Sequence, residues 1–205
     1  KELPRKKLTE KENFQYFQQK NLYDFMRRLV VKRFESSFGS FEQSIKNFQN
    51  ITTDILEFIE KTGKFILDRS FLEKIYYLDI EEIEEKLKEF AQKLHDGDYP
   101  KNNRIYDVGK FIYKNEFIAD IKSDLDLFKT ILNELSRLDL VKNDPKSDCL
   151  TKNIKSELKK KPKKGEPKRK IIIFSEYVDT VKYLKPILED EFGKRLLTIL
   201  GNLSA

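Results

Sequence analysis

The sequence predicts a mainly α-helical protein, in which a helical bundle over residues 1–141 is followed by an incomplete α/β unit over residues 142–205. Three observations predict this fold class. Apolar residues recur at spacings of three and four along most of the chain as far as Leu140, as they do on one face of a helix. Segments that contain Gly or Pro interrupt these repeats. Near the end, an apolar run, an amphipathic segment and a second apolar run follow one another, as in a strand–helix–strand unit.

The bundle is predicted from four apolar stripes, each of which fits one side of a helix. The longest helix is expected to run from Ser37 to about Lys64, and breaks are expected at Gly63 and over residues 95–103. Four or five helices of this kind imply a bundle, with the stripes forming its core. The stripes are Phe14, Phe17, Phe25 and Leu29; Phe38, Phe41, Ile45, Phe48, Ile55 and Ile59; Ile80, Ile83, Leu87, Phe90 and Leu94; and Ile118, Ile121, Leu125, Phe128, Ile131 or Leu132, and Leu135.

The α/β unit is predicted after a short helix that spans Ser147 to Lys160. A strand over Lys170–Phe174, a helix over Tyr177–Phe192 in which Pro186 could introduce a kink, and a strand over Leu196–Leu200 would form one right-handed parallel βαβ unit. A parallel pair needs both faces covered and normally further strands. We therefore expect this unit to belong to a larger domain, and the chain, which starts with Lys rather than Met, to come from a longer protein.

The positive charge of the chain is concentrated in one segment. The net charge is +6, but residues 151–170 hold ten Lys or Arg and two Glu, and the remainder of the chain carries a net −2. Lys159–Lys170, the basic loop, is predicted to be flexible because it contains two Pro and a Gly. Its candidate phosphate contacts are Lys163, Lys164, Lys168 and Arg169. The alternative is a solvated linker, because the loop has no aromatic residue on which a base could stack.

Composition excludes several classes of protein. Cys149 is the only cysteine, so the chain cannot have an internal disulfide, and a reducing, cytoplasmic location is expected. His95 is the only histidine, which argues against a histidine-based metal site. No apolar run approaches the ~18 residues that span a bilayer, so we expect no membrane partner.

Two blocks of the sequence resemble one known family. The linker block, NLYDFMRRLVVKRFESSFGSFEQSI (Asn21–Ile45), is similar to the segment after the first RecA-like domain of superfamily 2 helicases of the Swi/Snf-like DNA translocase branch. It looks most like bacterial members that also carry a phospholipase D-like nuclease domain. The strand block, Lys170–Ala205, with KIIIFSEYVDTVKYL and GNLSA, resembles the start of the second RecA-like domain. Together the blocks cover 61 of the 205 residues, and the helices between them would be an insertion.

The resemblance implies an ATP-dependent helicase or translocase whose parent protein binds ATP, Mg²⁺ and nucleic acid, with DNA as the expected nucleic acid. The chain itself has no GxxxxGK[ST] loop, no acidic box and no arginine motif, so we expect no cofactor and no ATP hydrolysis in this region alone. Its partners would be the remaining parts of the RecA-like lobes. The sequence does not distinguish DNA from RNA or unwinding from translocation, and it does not give the oligomeric state.

The resemblance also implies roles for individual residues. Ser175, Tyr177 and Thr180 would face the nucleic-acid backbone. The alternative is that Ser175 or Asp179 simply caps the helix that follows. Lys32 and Arg33 would brace the two lobes or contact a phosphate, or they could form the exposed face of a helix.

Ser36 and Ser37 are predicted to cap the long helix rather than to act as nucleophiles, because no histidine lies in any plausible motif with them. Two other functions stay open. One is a stand-alone helical interaction module that binds a partner or a second copy through the Ile118–Leu135 stripe. The other is an enzyme with an unrecognised site in the bundle.

Overall fold

The computed structural model describes residues 27–67, 80–98, 104–162, 164–165, 167–175 and 177–200. In these ranges the chain forms six α-helices and one two-stranded sheet, which confirms the mainly α fold class. No helix in these ranges combines the length and the apolar character needed to cross a bilayer. The helices are α1 (27–36), α2 (Phe38–Thr62), α3 (Ile80–Asp96), α4 (Lys114–Arg137), α5 (Pro145–Lys159) and α6 (Val178–Phe192), and the strands are β1 (Lys64–Leu67) and β2 (Arg104–Asp107).

Helix α2 is the long helix that its apolar stripe predicts. At its start, Ser37 has an extended backbone, and its side chain accepts a hydrogen bond from the Ser40 N–H at 3.1 Å. At its end, Gly63 adopts a left-handed conformation with φ of 68°, and its N–H donates to the carbonyl of Ile59 at 2.8 Å. A residue with a Cβ adopts this conformation at a cost, so glycine ends the helix here.

The core consists of two clusters at different positions along α2. Near the start of the helix, one buried cluster joins α2 to α4, and near its end a second cluster joins it to β1 and α3. Each fully buried Leu, Ile or Phe contributes about 1.5–3 kcal/mol, so both clusters stabilise the packing of α2 against its neighbours. The first cluster consists of Phe38, Phe41, Ile45 and Leu135, and the second of Phe58, Ile66 and Leu94.

The sequence did not indicate the small sheet. Strands β1 and β2 are antiparallel, with Lys64 opposite Asp107 and Phe65 opposite Tyr106. Each strand has four residues, which is too few for an alternating pattern to be recognised. Helix α3 lies between them in the sequence, so no hairpin turn signals the pairing either.

The predicted parallel βαβ unit is not observed in the described residues. Helix α6 forms as expected, with Pro186 inside it. However, Lys170–Phe174 and the described segment 196–200 are not paired into a sheet. Most of their apolar side chains are exposed, with Phe174 at 89% and Leu197 at 81%. The physical reason is that a buried parallel strand requires neighbouring strands and cover on both faces, which the described residues do not supply.

The other predictions on the fold have mixed outcomes. Helix α5 begins at Pro145 and ends at Lys159, close to the predicted range. Of the first stripe, only Leu29 lies in the described residues, and it is buried. The boundary between residues 141 and 142 stays a prediction.

Candidate functional site

A buried contact joins α1 and the start of α2 to the start of α6. We call it the clasp, and it consists of Arg33, Ser36 and Ser40 on one side and Tyr177, Asp179 and Thr180 on the other. The guanidinium of Arg33 is fully buried, and its Nη2 lies 3.5 Å from Oδ2 of Asp179. Its central carbon lies 4.6 Å from the centre of the Tyr177 ring, a cation–π distance. The charge is thus held between a carboxylate and an aromatic face.

The second part of the clasp is a chain of hydroxyl groups. Thr180 Oγ1 lies 2.7 Å from Ser36 Oγ and 3.0 Å from Ser40 Oγ, and Ser37 Oγ donates to Ser40 Oγ at 2.9 Å. Ser37, Ser40 and Thr180 are buried. Buried hydroxyls that hydrogen-bond to one another avoid the cost of an unpartnered polar group. These hydrogen bonds therefore connect α6 to both α1 and α2, although α6 is far from them in the sequence.

Gly39 allows α6 to approach α2 closely. A Cβ at this position would overlap the ring of Tyr183. The hydroxyl of Tyr183 donates to the carbonyl of Val141 at 2.6 Å, so the ring also ties α6 to the segment before α5. A residue without a side chain is needed where the ring lies against the first turn of α2.

Asp144 holds the starts of two helices together. It is fully buried, its Oδ2 accepts from the Phe38 N–H at 3.1 Å, and its Oδ1 accepts from the Lys146 N–H at 2.9 Å. One carboxylate thus caps both α2 and α5, and a negative charge is favourable at both helix starts. Burial, followed by the charge of Asp144, raises the pKa of Tyr183 to about 12.

The three residues predicted to contact the nucleic-acid backbone differ in their exposure to solvent. Ser175 is exposed, and its Oγ accepts from the N–H of Tyr177 at 3.2 Å, a turn that precedes α6. Tyr177 and Thr180 are buried in the clasp, where they contact Arg33 and the two serines. The nucleic-acid role of the three stays a prediction, and in this arrangement Ser175 is the one whose side chain a phosphate can reach.

Lys32 and Arg33 also differ in position. Arg33 is buried, so it is not part of an exposed helix face, whereas Lys32 is exposed. Lys32 lines an open surface groove on α1 together with Arg27, Arg28 and Glu35. Ser37 caps α2, as predicted for this segment.

The basic loop is partly neutralised by Glu157 at the end of α5. Arg169 Nη1 lies 3.1 Å from Glu157 Oε2, and Lys160 contacts the same carboxylate. The hydrogen bond from Lys160, followed by the charges of Lys160 and Arg169, lowers the pKa of Glu157. Lys164 and Lys168 are exposed, and Lys163 lies outside the described residues.

Sequence reasoning missed Gly39, Tyr183 and Asp144. Only Asp144 has a local signal, because Asp before Pro is a common way to start a helix. No group of acidic, histidine or cysteine side chains among the described residues is arranged to hold a metal ion.

Comparisons with protein-family models, with curated proteins and with solved structures found no match to the chain. The resemblance to helicases therefore rests on the residues of the linker block and the strand block alone.

Proposed function

We propose that the chain is the inter-lobe region of an ATP-dependent helicase or DNA translocase of the Swi/Snf-like type, and that it does not hydrolyse ATP by itself. The observation that carries this proposal is the clasp. It joins the linker block to the strand block through Ser36 of the first and Thr180 of the second, which are 144 positions apart. Two segments that resemble parts of one family thus meet in a single buried interface.

In this proposal the clasp transmits movement between lobes. ATP and Mg²⁺ would bind in the cleft between the lobes, at residues outside this chain. The buried Arg33 and the hydroxyl chain would fix the linker helices to the second lobe. A displacement of that lobe would then carry α1, α2 and the packed bundle with it, because packed interfaces move as units.

The exposed apolar segments beside α6 support the same proposal. Ile172, Phe174, Leu197 and Ile199 are all largely exposed, and a concentration of exposed large apolar side chains is typical of a site of interaction. Further strands of the second lobe would cover these side chains in the whole protein. About 25 cal/mol is gained for each Å² of apolar surface that is buried, so cover is strongly favoured.

The direct test is to sequence the encoding gene on both sides of this region and to assay its whole product. A GxxxxGK[ST] loop and an acidic box upstream, an arginine motif downstream, and DNA-stimulated ATP hydrolysis are the expected result. A gene without an ATPase lobe would overturn the proposal.

A second test addresses nucleic-acid contact by the basic loop. The chain should bind a DNA duplex weakly, and the triple variant Lys164→Gln, Lys168→Gln and Arg169→Gln should bind less tightly. Each lost phosphate contact is expected to reduce the slope of log K against log salt by about 0.9. The triple variant Lys86→Gln, Lys93→Gln and Lys129→Gln, on exposed lysines of the bundle, is the matched control. Equal slopes in all variants would exclude the loop as a DNA contact.

The interaction-module alternative is less well supported. It requires the Ile118–Leu135 stripe to be available to a partner. In the structure this side of α4 packs against α2, with the Phe128 and Phe48 rings 6.4 Å apart and Leu135 buried in the first core cluster. A concentration-dependent mass of the chain would restore this alternative.

A further inference from the structure

The turn between β2 and α4 exposes two large side chains. Its sequence is KFIYK, Lys110–Lys114, and we call it the KFIYK turn. Ile112 is 91% exposed, the highest value for a large hydrophobic residue in the described part of the chain, and Tyr113 is 69% exposed. These side chains contribute little to the core, so packing does not explain them.

The base of the KFIYK turn is fixed to the fold. Val108 is buried, and its N–H donates to the carbonyl of Gly63 at 2.9 Å. On the other side, the Phe111 ring lies 5.3 Å from Phe117, which lies 5.4 Å from Phe65, both edge to face. Ile112 and Tyr113, the tip of the turn, therefore extend from a fixed base. Little conformational entropy would be lost when the tip binds a ligand.

Tyr113 occupies a helix position that favours other residues. It is the N-cap of α4, where Ser, Thr, Asp or Asn would supply a capping hydrogen bond, and its side chain makes none. Only its carbonyl takes part in the helix, by accepting from the Phe117 N–H at 2.9 Å. Neither capping nor burial accounts for a tyrosine here, so its ring is available for a ligand.

Two exposed lysines flank the tip. Lys114 begins α4, and Lys110 Nζ lies 3.6 Å from Oδ2 of Asp107 in an exposed ion pair, which would open when Lys110 contacts a phosphate. An aromatic face between cationic side chains is the combination that binds single-stranded nucleic acid, because the ring stacks on a base while the cations contact phosphates. The basic loop lacks such a ring. The flanking cations favour a polyanion over an uncharged protein surface, and one aromatic and one aliphatic side chain provide little area for membrane insertion.

We propose that the KFIYK turn binds single-stranded nucleic acid, with Tyr113 stacked on a base, Ile112 against the neighbouring base, and Lys110 and Lys114 on the phosphates. This inference rests on the proposed function and adds a second contact, on the bundle. It predicts a preference for unpaired strands, since a base within a duplex does not offer its face to a ring.

The test uses a fluorescent reporter that the chain allows. It contains no tryptophan, so Tyr113→Trp introduces the only one. Titration of this variant with oligo-dT should quench tryptophan emission, because the indole stacks on a base. Leu127→Trp, at a 55% exposed site on α4, is the control and should not be quenched. In addition, Tyr113→Ala should weaken binding of oligo-dT about tenfold while leaving the salt slope unchanged.

The outcomes separate this inference from the proposed function. DNA binding without quenching at position 113, and without loss in Tyr113→Ala, would overturn the inference and leave the proposed function standing. Quenching by oligo-dT together with a gene that lacks ATPase lobes would support the turn as a binding site and overturn the helicase proposal. Quenching by anionic lipid vesicles but not by oligo-dT would overturn the inference in favour of a membrane surface. No binding of any nucleic acid would overturn the inference and the proposed DNA contact of this region together.

Discussion

Helix α6 and the two segments that flank it differ sharply in how the rest of the chain surrounds them. The start of α6 is buried against α1 and α2, where Arg33 meets Asp179 and Thr180 meets two serines. The flanking segments contain the most apolar sequence of this region, yet Phe174 and Leu197 are exposed. The start of α6, with its polar side chains, is enclosed, whereas the apolar segments on either side of the helix are exposed.

This difference reflects which contacts the preceding helices offer to α6 and to its flanking segments. Helices α1 and α2 hold side chains that contact α6, and Gly39 leaves space for the ring of Tyr183. Among the described residues, no strand pairs with the flanking segments. The contact of α6 with α1 and α2 is therefore formed by described residues of this chain, whereas a sheet that included the flanking segments would need further strands. The contact and the exposure can be tested separately.

Removal of the Arg33 side chain should have the largest effect on stability, because it disrupts the clasp. Arg33→Ala leaves Asp179 without its buried cation and empties the space over Tyr177. Breaking a buried pair costs about 3–5 kcal/mol, and we expect about 3 kcal/mol because Asp179 is partly exposed and lies 3.9 Å from Lys182. Urea unfolding followed by circular dichroism measures the loss. Lys32→Ala, at the exposed neighbour, should change the free energy of unfolding by less than about 0.5 kcal/mol.

The Gly39→Ala variant tests the close approach of α6 through the sign of its effect. Helix propensity alone would stabilise the protein by about 1 kcal/mol. Because the new Cβ would overlap the Tyr183 ring, we expect a net destabilisation of about 1–3 kcal/mol instead. In a Tyr183→Ala background the overlap disappears, and the same substitution should become stabilising. Stabilisation in both backgrounds would contradict the observed contact.

The pKa of Tyr183 gives a smaller, pH-dependent effect. Burial and Asp144 raise this pKa to about 12, while the unfolded residue ionises near 10. Between pH 10 and 12 the unfolded chain therefore loses its proton first, and stability falls as pH rises through this window. Below pH 10 the wild type should be more stable than Tyr183→Phe by about 1 kcal/mol through the hydrogen bond to Val141. That advantage should shrink above pH 10, and a constant difference would contradict the raised pKa.

Substitutions in the exposed segments that flank α6 should change the free energy of unfolding least. Phe174→Ser removes a ring that is 89% exposed, so the free energy of unfolding should change by less than about 0.5 kcal/mol. The same change should reduce binding of a hydrophobic dye such as ANS, because exposed apolar area is lost. A large loss of stability would mean that the flanking segment is packed, and the contrast with the clasp would disappear.

The sequence predicted the helices well and their contacts poorly. Helix α2 was expected from Ser37 to about Lys64 and lies within those limits, because its apolar stripe is long and Gly63 ends it. Strands β1 and β2 were missed because four residues carry too little pattern. The segments beside α6 were predicted as paired strands because an apolar run indicates burial without showing what buries it.

The candidate site was predicted only in part. Arg33, Tyr177 and Thr180 were all singled out, but for contacts to nucleic acid or between lobes in a larger protein. Their contact with one another could not be predicted, because periodicity reports which side of a helix is apolar and not which distant residue lies opposite. The fit between Gly39 and Tyr183 was missed for the same reason.

The central claim, that the linker helices and α6 form one interface, is tested most directly by a disulfide. Ser36→Cys and Thr180→Cys, in a Cys149→Ser background, replace two hydroxyls whose oxygens are 2.7 Å apart, which is compatible with disulfide geometry. Glu35→Cys with Thr180→Cys, which uses an exposed neighbour, is the control pair. Mild oxidation followed by peptide mass spectrometry should show a rapid intramolecular link between positions 36 and 180 and little in the control. A failure of the first pair to form an intramolecular link would contradict the clasp.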